Sequence, residues 1–348
     1  MIERICAAFR MLEDDESREI YVGKLNYEVT GNMKFIYEIV DKYVPDLKNN
    51  FKWEHFRKQM VKISNERKIY IYGAGGEGDA MYRFIKTNGI NIEAFVDRNA
   101  ELIGEKVVPV ILPSEFYKAY EKGDCAVVIG TEMFFDEIYN NLVKNGIKKH
   151  DIYGGAANWK KQYFDMSIMK WADKERMVDC GALNLNTSRE FIKVCPSVDK
   201  IYAFEPDIIN YKNCIRIKEK ENLQFIDVIK KGVGEKSAIM KFNLTGNGTS
   251  HVSDFGNEII EITSLDNELG NCEITFIKMD IEGLELEALK GSRDIIRRSK
   301  PKLAISVYHK PDDLVDIFHY IKEIVPEYKL YLRHYSIFPV ETVLYATI

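Results

Sequence analysis

The sequence predicts an α/β protein with two doubly wound, mainly parallel sheets and a helical arm at its N-terminus. Short apolar runs alternate with helical patterns over residues 65–155, and the same alternation returns over residues 156–348. A chain of 348 residues is also long enough for two domains. The predicted organisation is therefore an arm at 1–64, a first α/β domain at 65–155 and a second α/β domain at 156–348.

Composition and charge are those of an ordinary globular protein. The chain has 49 basic and 54 acidic side chains, a net charge of −5 that argues against a general nucleic-acid surface. Charges interrupt every apolar stretch, so no membrane span or secretion signal is expected and a cytoplasmic location is predicted. The six cysteines form no Cys-x-x-Cys pair, which fits a reducing compartment. The six histidines show no metal-ligand spacing, so no metal site is predicted.

The N-terminal arm carries apolar residues three and four positions apart, a spacing typical of amphipathic helices. It contains no grouping of residues that suggests chemistry. We therefore expect the arm to serve packing or homo-oligomerisation.

The first α/β domain contains a Gly-x-Gly-x-x-Gly motif formed by Gly73, Gly75 and Gly78, directly after the run KIYIY and before a helical pattern. Asp97 follows Gly78 by 97 − 78 = 19 residues, at the end of the second strand. In this context the glycines let backbone N–H groups approach a pyrophosphate, and the carboxylate accepts ribose hydroxyls. The motif predicts a Rossmann-like domain that binds a nucleotide (NAD or a nucleotide sugar). A tight structural turn with no ligand is the alternative.

The second α/β domain contains five apolar runs that each end in a polar or glycine-containing turn: RMVDCGA, KIYAFEP, LQFIDVI, ITFIKMDIEG and PKLAISVYH. Two further runs, YKLYLRHYS and ETVLYATI, are joined by a short connection that favours an antiparallel pair. Seven strands with a closing hairpin are typical of a class I methyltransferase sheet. The loop Gly246–His251 lies between two strand-like runs, where it either shapes an acceptor pocket or forms a hairpin tip.

Polar residues follow four of these runs. In open α/β sheets, ligands bind outside the carboxyl ends of the strands, which makes these residues site candidates. Together with the sequence TSLD (Thr263–Asp266), the four run ends resemble the FkbM-type S-adenosylmethionine-dependent methyltransferases, from about residue 175 to the C-terminus. The preceding region resembles the Rossmann-like domain fused to some of these enzymes. The resemblance implies O-methylation of a small-molecule acceptor, a sugar or natural-product hydroxyl.

The resemblance also implies roles for individual residues. It places four residues in the turn that receives the cofactor: Asp179, Gly181, Ala182 and Asn184. Glu205 would accept both ribose hydroxyls. Asp280 and His309 would lie near the transferred methyl group, where Asp280 orients the acceptor and His309 acts as a general base. An unperturbed histidine titrates near pH 6.5, which suits that task.

The chain departs from the family at Leu185-Asn186-Thr187, where Gly-Asp-Thr is usual. We expect Asn184 and Asn186 to tolerate the left-handed backbone conformation that the glycine would adopt, and Leu185 to add bulk at the mouth of the pocket. Two other functions compete with methyl transfer. One is a non-catalytic module that binds a nucleotide or nucleotide sugar and has a degenerate methyltransferase domain. The other is an NAD(P)-dependent oxidoreductase, which depends on the Gly73–Gly78 motif alone.

Overall fold

The computed structural model of the protein describes residues 1–158, 162–243, 251–252, 256 and 258–348. Residues 246–250 of the predicted Gly246–His251 loop therefore lie outside the described residues. The helices of the described residues are α1 (Ile2–Arg10), α2 (Asp15–Thr30), α3 (Lys34–Tyr43), α4 (Trp53–Ile63), α5 (Gly76–Thr87), α6 (Pro113–Glu121), α7 (Phe135–Lys144), α8 (Asn186–Val194), α9 (Ile208–Lys220), α10 (Leu265–Leu269), α11 (Glu285–Lys290), α12 (Arg293–Ser299) and α13 (Asp313–Ile324). None of these helices combines the length and the apolar character that crossing a membrane requires.

Strands occur from residue 68 onwards. The strands are β1 (Lys68–Tyr72), β2 (Ala94–Val96), β3 (Val110–Ile111), β4 (Cys125–Ile129), β5 (Ile152–Tyr153), β6 (Glu175–Cys180), β7 (Val198–Phe204), β8 (Ile226–Ile229), β9 (Gly232–Val233), β10 (Ala238–Asn243), β11 (His251–Val252), β12 (Glu258–Thr263), β13 (Phe276–Met279), β14 (Lys302–Ser306), β15 (Lys329–His334) and β16 (Thr342–Thr347).

The chain forms two compact units. The large unit comprises Met1–Leu25, Lys160–Arg333 and Glu341–Ile348, and the small unit comprises Asn26–Trp159 and His334–Val340. The first 25 residues of the predicted arm thus belong to the large unit. There the Tyr21 ring lies 5.6 Å from the Phe318 ring, and Arg4 pairs with Asp316 at 2.9 Å. The domain boundaries drawn from the sequence stay a prediction.

The small unit contains a five-stranded parallel sheet in the order β3-β2-β1-β4-β5. All five residues of β4 are buried, as its continuous apolar run requires. The sequence pattern predicted β1, β2 and β4. It did not predict β3 and β5, because a strand of two residues is too short to show a period.

The large unit contains a seven-stranded sheet in the order β15-β16-β14-β13-β6-β7-β8. Five adjacent strands of this sheet are parallel to one another: β14, β13, β6, β7 and β8. Strand β16 is antiparallel to β14. All seven runs predicted as strands lie in this sheet. In its register, Cys180 pairs with both Phe204 and Met279, and Met279 pairs with Ile305. Four parallel strands therefore end side by side, which brings the residues that follow them together.

A second sheet in the large unit has the order β11-β10-β12-β9, with β10 antiparallel to both β11 and β12. The strand-like runs around the Gly246–His251 loop thus pair with each other. The TSLD sequence begins at the last residue of β12 and leads into α10, where the Ser264 hydroxyl caps the helix by accepting the amide of Asn267 at 3.2 Å. The Asp266 carboxylate accepts two amides at the start of α12.

Candidate active site

The turn after β6 passes very close to the end of β13. Gly181 has a φ angle of 82°, and a Cβ atom built on it would lie 2.0 Å from the carbonyl oxygen of Asp280. The amides of Gly181 and Ala182 both donate to the carbonyl of Phe204, at 3.1 and 3.0 Å. Only glycine fits at position 181, because any side chain would push the end of β13 away.

The Glu205 carboxylate joins the end of β7 to this turn. Its Oε2 accepts the amide of Leu183 at 2.8 Å, and its Oε1 accepts the amide of Asp207 at 2.9 Å. Burial raises the pKa of Glu205 to about 7, although both hydrogen bonds oppose the shift. A carboxylate has about four lone-pair sites, so both oxygens retain capacity to accept hydroxyl groups.

Asp179 is fully buried and its carboxylate contacts protein groups. Its Oδ2 accepts the Ser188 hydroxyl at 2.7 Å, and its Oδ1 lies 3.1 Å from Nζ of Lys278. Lys278 also donates to the carbonyls of Cys180 and Gly181, at 3.1 and 2.7 Å. Burial lowers the pKa of Lys278, but the neighbouring carboxylates outweigh burial and the net shift is upward. Asp179 therefore supports the turn through Lys278, and contact between its carboxylate and a cofactor stays a prediction.

Asp280 follows β13, and two tyrosine hydroxyls hold its carboxylate. Tyr163 donates to Oδ2 at 2.8 Å, and Tyr308 donates to Oδ1 at 3.1 Å. Burial raises the pKa of Asp280, but the charges of Lys278 and His309 outweigh burial, so that the pKa lies below its usual value. The pKa values of both tyrosines lie well above their usual value, chiefly because the rings are buried. Both hydroxyls therefore keep their protons and act as donors.

His309 follows β14 and lies among three carboxylates. Its Nδ1 is 2.9 Å from Glu285, and its Nε2 is 3.6 Å from Asp280 and 3.8 Å from Glu282. Burial lowers the pKa of His309, but these carboxylates outweigh burial and raise it to about 9. The unperturbed value near 6.5 therefore does not apply to this imidazole, and the role of His309 as a general base stays a prediction.

The turn at Leu185 differs from the expected one. The left-handed backbone conformation falls on Leu183 and Leu185, with φ angles of 50° and 57°, and not on Asn184 or Asn186. The Asn184 side chain accepts the amide of Asn186 at 3.0 Å. The Leu185 side chain is fully buried. The cost of a left-handed leucine, about 1–2 kcal/mol, must be offset by burial of this side chain.

Sequence reasoning gave no role to Lys278, Tyr163, Tyr308 or Glu285. One feature of the sequence indicated a role for Lys278: it is the charged residue in the otherwise apolar, buried strand FIKM. A charge in a fully buried strand requires a partner. Tyr163 is 117 residues from Asp280 along the chain, so that no local pattern could indicate their contact.

The small unit brings the other predicted residues together. The Asp97 carboxylate accepts the amides of Ala74 and Asn99, at 3.0 and 2.9 Å. A Cβ atom on Gly78 would lie 2.0 Å from the carbonyl oxygen of Gly73, which explains the need for glycine at position 78. A Cβ atom on Gly75 would meet nothing within 4 Å.

Two carboxylates lie beside this glycine loop, one partly buried (Glu77) and one fully buried (Glu132). Glu77 is in the first turn of α5, and its carboxylate accepts the amide of Glu132 at 3.0 Å. Glu132 in turn accepts the amides of Ala157 and Ile337, at 2.6 and 3.2 Å, and the hydroxyl of Ser336. Burial raises the pKa of both carboxyl groups, that of Glu132 to about 7.

The large unit is thus an α/β domain whose candidate active site lies at the carboxyl ends of parallel strands. The family model described as the methyltransferase FkbM domain matches residues 179–331. This part of the chain is an FkbM-type methyltransferase domain. None of the curated proteins matches the chain.

Among solved structures, one of similar length has a similar fold. The FkbM methyltransferase of Methylobacillus flagellatus KT is 22% identical over 93% of this chain and 99% of its own, with a TM-score of 0.52. An rRNA methylase from Streptococcus thermophilus is 16% identical over 51% of this chain and 87% of its own, with a TM-score of 0.35. A SAM-dependent methyltransferase from Aquifex aeolicus is 14% identical over 54% of this chain and 92% of its own, with a TM-score of 0.32. Scores as low as the last two support no conclusion about this chain.

Proposed function

We propose that the large unit transfers a methyl group from S-adenosylmethionine to a hydroxyl group of a small molecule, a sugar or a natural product. The observation that carries the proposal is the buried Glu205 carboxylate, which backbone amides hold at both oxygens beside the Gly181 turn. A carboxylate held in this way is oriented to accept two ribose hydroxyls. The strand order, with β16 antiparallel to β14, supports the class I assignment and the same donor.

The residues around Gly181 fit an adenosyl group. Gly181 and Ala182 bring backbone close to the strand ends without side-chain bulk, and Glu205 supplies the acceptor oxygens. Leu185 is the residue that tests this fit, because a leucine that filled the nucleoside space would prevent binding.

S-adenosylmethionine, when bound, supplies a methyl group on a sulfonium sulfur that an acceptor oxygen can displace. The chain must hold the acceptor in line and take its proton. We assign Asp280 to this task, because Tyr163 and Tyr308 fix its carboxylate and its lowered pKa keeps it ionised. A His309 whose pKa is about 9 carries a proton at neutral pH, so Asp280 is the better proton acceptor.

For the small unit we propose a nucleotide ligand, supported by the Gly73–Gly78 loop and by Asp97. Glu77 and Glu132 lie beside the loop and would repel a pyrophosphate. Because the pKa of Glu132 is about 7, we expect the affinity for NAD or a nucleotide sugar to be weaker at pH 8 than at pH 6.

Calorimetry on the full chain tests the assignment. S-adenosylmethionine and S-adenosylhomocysteine should each bind with micromolar affinity at one site, and Glu205→Gln should weaken both. NAD and a uridine-diphosphate sugar serve as comparison ligands. Binding of one of these nucleotides without any binding of S-adenosylhomocysteine would overturn the proposal in favour of a nucleotide-binding module.

A further inference from the structure

A cluster of metal-ligating groups lies at the carboxyl ends of β13 and β14. Asp280, Glu285 and His309 each offer one ligand atom, and these atoms all lie within 4.8 Å of one another. Within the cluster, His309 Nδ1 lies 2.9 Å from Oε1 of Glu285, and His309 Nε2 lies 3.6 Å from Oδ1 of Asp280. Two ligands at about 2.1 Å from one cation lie about 3–3.5 Å apart, so a small side-chain adjustment suffices to share an ion.

The histidine gives a second, independent indication of a ligand. The His309 side chain is 10% exposed, and its Nδ1 pairs with Glu285 at 2.9 Å, but its Nε2 has no hydrogen-bond partner among the described residues. Oε2 of the fully buried Glu285 also has none. Buried polar atoms are normally satisfied, and the unpartnered Nε2 of His309 faces Asp280 and Glu282.

The charge of the cluster favours a cation. Three carboxylates, those of Asp280, Glu282 and Glu285, lie within 4 Å of the imidazole. Even a charged His309 leaves two negative charges in excess. Lys278 offsets part of this excess, but its ammonium group also pairs with Asp179.

We propose that Asp280, Glu285 and His309 form a binding site for one divalent transition-metal ion. Mixed carboxylate and imidazole donors favour Mn²⁺, Fe²⁺ or Zn²⁺, whereas Mg²⁺ prefers oxygen ligands and water. Glu282, 3.8 Å from Nε2, is close enough to add a fourth ligand.

Metal titration of the full chain tests this proposal without any methyl donor. Protein stripped of metal with a chelator is titrated with Mn²⁺, followed by the electron paramagnetic resonance of the free ion, and with Zn²⁺ and Mg²⁺ by calorimetry. We expect one Mn²⁺ or Zn²⁺ per chain and at least tenfold weaker binding of Mg²⁺.

Three variants locate the ion: Asp280→Asn, Glu285→Gln and His309→Gln should each weaken Mn²⁺ binding by about 10–100-fold. Glu287→Gln is the matched control and should leave binding unchanged, because Glu287 lies on the same helix and pairs with Lys310 at 3.8 Å. Circular dichroism and the melting temperature establish that each variant is folded. For a variant that does not fold, the visible absorption of Co²⁺ bound to the wild-type protein reports whether nitrogen and oxygen donors hold the ion.

Absence of stoichiometric Mn²⁺ and Zn²⁺ binding in the wild-type protein would overturn the metal site, as would equal affinity in the wild type and all three folded variants. These outcomes are separate from the binding of the methyl donor, because Glu205 is not a ligand of the proposed ion. A protein that binds S-adenosylhomocysteine but no metal retains the donor site and loses this one, and the reverse result retains only this one.

Discussion

The Gly73 loop of the small unit and the Gly181 turn of the large unit are built in the same way. Each follows the central one of five adjacent parallel strands, and each is held by a carboxylate from the end of the neighbouring strand. Asp97 and Glu205 both accept one amide from the turn and another two residues further along their own loop. Both turns also exclude a side chain at one glycine. A Cβ atom on Gly78 would overlap the carbonyl oxygen of Gly73, and a Cβ atom on Gly181 would overlap that of Asp280.

The surroundings of the two turns differ. Lys278 lies beneath the Gly181 turn and donates to its backbone, whereas Glu77 and Glu132 lie beside the Gly73 loop. The large unit also places Asp280 and His309 at its strand ends. A glycine turn with a strand-end carboxylate therefore sets the hydrogen-bonding geometry of the site. The charge that a ligand can carry there is decided by residues from distant parts of the chain.

The largest effect is expected from adding a side chain at Gly181. Gly181→Ala should lower the free energy of unfolding by about 3 kcal/mol or more, because the new Cβ overlaps the Asp280 carbonyl and φ is positive. Gly78→Ala, with an equally close contact but a negative φ, should cost about 1–3 kcal/mol in the small unit. Gly75→Ala has free space and serves as the control in urea denaturation. Equal stability of all three variants would contradict the packing described for both turns.

Asp280→Asn should reduce the turnover number by about 10²–10⁴-fold, since the amide cannot take the acceptor's proton. The affinity for S-adenosylmethionine should change far less. Steady-state kinetics and calorimetry on the same protein separate the two effects. Equal losses in turnover and affinity would move Asp280 from the acceptor to donor binding.

Glu205→Gln and Asp97→Asn exchange the equivalent carboxylates of the two turns for amides. Glu205→Gln should weaken S-adenosylhomocysteine binding by about 10–150-fold, as expected for hydrogen bonds to a charged group worth about 1.5–3 kcal/mol. Asp97→Asn should leave this affinity unchanged, which makes it the matched control in calorimetry. If Asp97→Asn weakened the binding as much as Glu205→Gln, the donor would not be assigned to the large unit alone.

The smallest expected effect is a pH dependence of donor binding. Because the pKa of Glu205 is about 7, the carboxylate is increasingly protonated below pH 7 and accepts ribose hydroxyls less well. The affinity for S-adenosylhomocysteine should therefore fall as pH decreases, by about tenfold between pH 7.5 and pH 6. In Glu205→Gln this component should be absent. Equal pH profiles of wild type and variant would show that another group titrates.

Much of the fold was evident in the sequence because its elements are long enough to show a period. All seven strands of the large sheet and three of the small sheet were predicted from apolar runs, and only strands of two residues in the small sheet were missed. The polar residues at the strand ends were also evident. Parallel strands align their carboxyl ends, so that the sequence position of Glu205 or Asp280 already indicates its place at the edge of the sheet.

The electrostatic state of the site was not evident. The unperturbed histidine value near 6.5 suggested a general base at His309, but burial against three carboxylates raises its pKa to about 9 and makes it a charged group. The turn at Leu185 was likewise misjudged: the two leucines, and not the asparagines, adopt positive φ angles. Both outcomes depend on contacts between residues far apart in sequence, which no local pattern records.

The sequence by itself determined the strands, their order of appearance and the residues that follow them, because periodicity and turn chemistry act over a few neighbouring positions. The tertiary structure decided which groups these residues meet. Tyr163, Lys278 and Glu285 come from three elements and converge around Asp280, His309 and the Gly181 turn only when the chain is folded. Burial then makes their charges interact strongly, since water no longer screens them.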